Sequence, residues 1–176
     1  MPKWNGFGRR KFLGMGLAAS GAATLVSCGR VKGPSWRFFT DDQSLTIQAI
    51  CEQLIPPGRG PGAAEAGVPN YIDRQLTLHL KRHQQAYRQG LATVDNLSRQ
   101  RFGGRFVQLS WVQQTQVLMD LEKRATPFFN LIVAHTMQGF YGDPRHGGNR
   151  DGASWKMLGL PFPPVRGRIK YESKAS

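Results

Sequence analysis

Residues 126–141 read TPFFNLIVAHTMQGFY. Thr126 is a capping residue and Pro127 suits the first helical position, so a helix is expected from here through Phe140 or Tyr141. Phe128, Leu131, Ile132 and His135 share one face of it, and Phe129, Val133, Met137 and Phe140 another. A helix that is apolar around most of its girth sits at the centre of its own core or is shared with a partner. In a domain this small, one face is expected on the core and the other at an interface.

The upstream chain supplies the helices that surround it. Thr40-Asp41-Asp42-Gln43 is a capping box, with two acids at the positive end of the helix dipole. That helix is expected to run to about Ile55 and stop at Pro56-Pro57. Pro69 opens a second helix with Ile72, Leu76 and Leu80 along one face. A third covers roughly 83–102, with the stripe Tyr87, Leu91, Val94 and Leu97, and ends at Gly103-Gly104. Ser110 to Gln113 is a second capping box, followed by Val117, Leu118 and Leu121. No strand period and no internal repeat occurs. The fold expected is all-α: a bundle of about five helices with long ordered Gly/Pro-rich loops and an extended C-terminal arm. The expected divisions are 1–27, a tether at 28–38, a helical domain at 39–160, and a Pro-rich then basic arm at 161–176.

Behind the apolar helix, residues 135–159 read HTMQGFYGDPRHGGNRDGASWKMLG. Six glycines argue against regular structure. Phe140, Tyr141 and Trp155 are larger anchors than a plain linker needs. The segment is read as an ordered loop that docks on something. Arg145 and Arg150 can form bidentate pairs with carboxylates, and Asp143 and Asp151 can cap turns or pair with those arginines. The residues expected to bind a partner are Phe129, His135, Phe140, Tyr141, Asp143, Arg145, Asn149, Arg150 and Trp155.

The N-terminus carries an address. Arg9 and Arg10, followed by Lys11-Phe12-Leu13, match the twin-arginine export signature. The uncharged stretch from Phe12 to Val26 is fifteen residues long, short of the ~20 that span a bilayer. A signal peptide is expected there. Leu25-Val26-Ser27-Cys28 resembles a lipobox, which makes Cys28 a candidate for lipidation and membrane anchoring. Twin-arginine export carries folded, often cofactor-loaded cargo, so a small protein without a cofactor motif could be escorting a larger one.

Loss of residues 1–27 removes four basic residues and no acidic ones, taking the formal net charge from +13 to +9. An anionic protein partner or membrane surface suits that balance, and nucleic acid does not fit an exported chain without a basic block. Cys51 lies with Ile47, Ile50 and Leu54 at helical spacing and reads as a buried, inert thiol; a disulfide to Cys28 would compete with lipidation. No catalytic, metal or cofactor motif stands out. Asp143-x-x-His146, with His135 nearby, is a weak ligand pattern. His79 and His83 lack the glutamate of a zinc-protease helix and read as a solvated face.

Five blocks, taken together, resemble the small, third subunit of membrane-bound gluconate 2-dehydrogenase and its relatives. They are Ala49–Pro56, Ala66–Leu76, Tyr87-Arg88-x-Gly90-Leu91, Arg101-Phe102-Gly103, and Phe128-Phe129 with His135–Pro144. Arg59 and His146 depart from the pattern. The resemblance implies a non-catalytic small subunit without a cofactor of its own. Its partner would be an FAD-dependent dehydrogenase large subunit of the glucose–methanol–choline type, and a multihaem cytochrome c could complete the complex. Export by the twin-arginine translocase would place it in the periplasm, at the membrane. Two other classes stay open: a free-standing lipoprotein or maturation chaperone, and a metal-dependent enzyme using the 135–151 region.

Overall fold

A computed structural model describes residues 36–124 and 126–160. The export signal with Arg9 and Arg10, the lipidation candidate Cys28 and the C-terminal arm 161–176 lie outside the described residues.

Six α-helices and no strand occur among the described residues: α1 Asp41–Leu54, α2 Val68–Leu76, α3 Gln84–Phe102, α4 Trp111–Lys123, α5 Pro127–Tyr141 and α6 Ala153–Met157. The helix starts follow the capping chemistry. Thr40 Oγ1 accepts from Gln43 N at 3.2 Å, while Gln43 Oε1 accepts from Thr40 N at 3.1 Å. Ser110 and Gln113 repeat the box at α4, and Thr126 Oγ1 accepts from Phe129 N at α5. Gly103 ends α3 in the left-handed region, at φ 76°.

The apolar helix is the hub. α5 packs against each of the other five α-helices. Phe128, Ile132, His135, Thr136, Gly139 and Phe140 point inward from it. The core they join holds Ile47, Ile50, Ile72, Leu76, Tyr87, Val94, Phe106, Val117 and Leu121. Its opposite side, with Asn130, Ala134, Met137 and Tyr141, is exposed.

Two expected boundaries change. Residues 36–38, assigned to a tether, are folded onto the body. Trp36 and Phe38 pack against the core, and Asp73 of α2 accepts hydrogen bonds from the backbone N–H groups of Arg37, Phe38 and Phe39 at 2.8, 2.9 and 3.0 Å. The segment behind α5, expected to be irregular, contains the sixth helix and two 3₁₀ turns, Pro144–His146 and Arg150–Gly152. His79 and His83 do not share a helix, because α2 ends at Leu76 and residues 81–83 form a separate 3₁₀ turn.

Gly90 shows how closely α3 and α5 approach. A Cβ at this position would overlap the Phe128 ring. Gly90→Ala is expected to lower stability by about 2 kcal/mol, because overpacking a fixed ring outweighs the ~1 kcal/mol that alanine gains in a helix. A urea midpoint that stays at the wild-type value would contradict that contact.

Candidate partner-binding surface

The 142–160 segment is held to α5 by its own backbone and one buried amide. Asn149 is fully buried in the left-handed region, φ 43°. Its Nδ2 donates to Gly142 O at 2.8 Å and its Oδ1 accepts from Ser154 N at 2.9 Å. The side chain therefore joins the end of α5 to the start of α6. Gly148 lies so close to Gly139 that a Cβ would collide with the carbonyl of Gly139. Trp155 Nε1 donates to Tyr141 O at 2.9 Å, and Arg150 N donates to Ala66 O at 2.9 Å. Each link satisfies a backbone group that the end of α5 or a loop would otherwise leave unpaired.

The structure divides the nine residues expected to bind a partner. Phe140, His135 and Asn149 are buried, Phe140 with 1% exposure and Asn149 with none. They present almost no surface to a partner in this fold, since each is enclosed by the chain's own elements. Phe129 is half-buried against the core, and Trp155 is half-buried. Tyr141, Arg145 and Arg150 are exposed. The half-buried Asp143 is already engaged: its Oδ1 accepts from Arg145 N at 2.9 Å, and its Oδ2 lies 2.6 Å from Arg145 Nη2. These hydrogen bonds from Arg145 hold the Asp143 carboxyl down at about 2. The two charges serve the loop's own turn.

His135 is the inner end of a polar cluster. Its Nδ1 lies 2.8 Å from Tyr87 Oη. The two rings stack at 5.8 Å, and Phe128 meets Tyr87 edge-on at 5.4 Å. His83 approaches His135 at 5.6 Å between ring centroids, and Arg82 Nε donates to His83 Nε2 at 3.0 Å. Burial first, then the charges of His83 and Arg82, lower the His135 pKa to about 4. Burial pushes the Cys51 thiol up to about 12, and Cys51 Sγ rests 3.6 Å from Thr136 Oγ1.

The His135 shift has a stability consequence. The folded pKa lies below the unfolded 6.5, so the unfolded chain takes up the proton first as pH falls. Stability is whole above about pH 6.5 and declines from there toward pH 4. Between pH 7 and 5 the loss is expected to be about 1–2 kcal/mol after discounting for solvent near the ring. His135→Asn should flatten that part of a urea-midpoint profile; an unchanged slope would assign it elsewhere.

No group of three His, Cys, Asp or Glu side chains among the described residues is placed to hold a metal ion. His135 is engaged with Tyr87, and Asp143 with Arg145. Among the described residues no helix is long and apolar enough to cross a membrane.

Several large apolar side chains also face outward. Met137 and Tyr141 of α5 are 43% and 42% exposed, and Met157, Leu158 and Leu160 are exposed at and after α6. On α4, Trp111, Val112 and Met119 are exposed around Thr115. The α4 residues were not singled out from sequence. Their signal is a second apolar stripe at positions 111, 112 and 119, opposite the core stripe Val117, Leu118 and Leu121.

A family model described as gluconate 2-dehydrogenase subunit 3 matches residues 41–161. The match runs from the first residue of α1 past the end of α6. No curated protein and no solved structure matches the chain.

Proposed function

The chain belongs to the gluconate 2-dehydrogenase subunit 3 family, and we propose that it serves as the non-catalytic small subunit of a periplasmic, membrane-associated dehydrogenase complex. The large subunit would be an FAD-dependent dehydrogenase of the glucose–methanol–choline type. The small subunit would stabilise that flavoprotein and carry it through the twin-arginine pathway by way of Arg9 and Arg10. Lipidation at Cys28 would then tether the complex to the membrane. The family match over the whole helical body carries this reading. The outward apolar side chains of α5 and α6 agree with it. Met137 and Tyr141 stand on a helix whose inner face is saturated by five neighbours, so they are available to a second protein.

The test is affinity purification from the native membrane fraction, with an absorbance scan and mass spectrometry of the eluate. A stoichiometric flavoprotein of dehydrogenase size supports the subunit reading, and haem bands would add a cytochrome c subunit. A lone protein without flavin overturns stable association and leaves a transient maturation chaperone. Met137→Ala with Tyr141→Ala should weaken retention of the flavoprotein about tenfold or more with the helical circular dichroism unchanged. Unchanged retention would remove α5 from the interface.

A further inference from the structure

The 58–66 loop and the 150–157 segment enclose an open cleft of about 500 Å³. Resting on the subunit reading above, we infer that this cleft receives a carboxylate-bearing peptide segment of the large subunit.

Three cations from three different elements line it: Arg59 from the loop, Arg150 from a 3₁₀ turn and Lys156 from α6. All three are exposed. Among the described residues none of them makes an ion pair; the pairs present involve Arg101, Arg105 and Arg145. The walls are built rather than incidental. The N–H of Arg150 donates to Ala66 O, and the N–H of Gly58 donates to Gly60 O at 3.0 Å. Glu52 Oε2 accepts from Ala64 N at 2.9 Å. The Arg150 guanidinium rests beside Gly67, where a Cβ would stand 3.5 Å from Nη2. Asp151 is held at φ 56°, a conformation that costs a non-glycine residue about 1 kcal/mol or more. It turns the chain so that Arg150 and Lys156 line one cleft.

The chemistry selects among anions. A planar guanidinium pairs with a carboxylate through two parallel N–H···O bonds, and a lysine adds a point charge. Pro61, Ala66 and Met157 supply apolar wall for the chain beside that carboxylate. Glu65 and Asp151 also line the cleft. Three cations against two acids leave a net +1, which one carboxylate neutralises, and the two acids reduce the pull of the cleft on a densely anionic surface. The arginine at position 59, a departure from the pattern of the resembled family, lies in this cleft.

The experiment uses the full-length protein with its co-purified flavoprotein. Zero-length carbodiimide coupling joins an amine only to a carboxylate already in contact with it. The expected product links Lys156 to an Asp or Glu of the flavoprotein. Arg59→Glu with Arg150→Glu should weaken the complex about tenfold or more, most strongly at low salt, with circular dichroism unchanged. Coupling of Lys156 only to its own Glu65 or Asp151, with affinity within twofold of wild type, overturns the inference and leaves the subunit reading standing. Binding to phosphatidylglycerol vesicles that is lost in the double variant, without effect on the complex, assigns the cleft to lipid and also overturns it. If no flavoprotein co-purifies, the subunit reading fails and the inference fails with it.

Discussion

Phe140→Ala is expected to lower the unfolding free energy by about 3–5 kcal/mol, while the neighbouring Tyr141→Ala changes it by less than about 1 kcal/mol. The two aromatics are consecutive and make one edge-to-face contact at 5.0 Å between ring centroids, yet they have opposite fates. Phe140 belongs to the core cluster on the inner side of α5. Its removal leaves a cavity lined by helices that are tied on several sides and cannot collapse into it. Tyr141, one residue on, is turned about 100° around the helix axis and faces outward. Equilibrium urea unfolding of the two single variants checks the split. Equal losses would mean that the end of α5 is rotated from the orientation described.

That pair also shows what could be read from the sequence. Capping boxes, the proline at the start of α5 and the glycine at the end of α3 are local rules, satisfied within three or four residues, and α1, α4 and α5 begin and α3 ends where those rules place them. By contrast α2, which has no such stop signal, ends at Leu76, short of the expected Leu80. The all-α class follows from the same local signals. Which apolar face of α5 is covered does not, because Phe129, Met137, Phe140 and Tyr141 are of one chemical kind and only the arrangement of the other helices separates them. The short α6 was hidden by the glycines before it. The clasp that makes that helix possible is Asn149, reaching seven residues back to Gly142 and five forward to Ser154. His83 read as solvated because its neighbour His135 is 52 positions away in the chain. The cleft pairs Arg59 with Arg150 by the same kind of distant juxtaposition.

Asp73 is the strongest case of a residue whose role depends on distant chain. It lies 34 to 36 positions from the three N–H groups it binds, and it is buried. Those donors belong to a run of bends rather than a helix, so no intrahelical carbonyl serves them. Arg88 lies over the Phe38 ring at 5.2 Å, and Phe39 meets Tyr87 at 6.0 Å. The aromatic segment and the carboxylate therefore hold each other in place. Asp73→Ala is expected to destabilise the protein by about 3–4 kcal/mol. Each buried donor left unsatisfied costs ~1–3 kcal/mol, and water can reach the partly exposed ones. Asp73→Asn keeps one acceptor oxygen and should lose about half as much. Hydrogen exchange reports the local event: the amides of Arg37, Phe38 and Phe39 should exchange at least a hundredfold faster in Asp73→Ala, while those in the middle of α3 follow only the global loss. If the three amides stay as protected as in wild type, aromatic packing alone holds the segment, and the carboxylate is not its anchor.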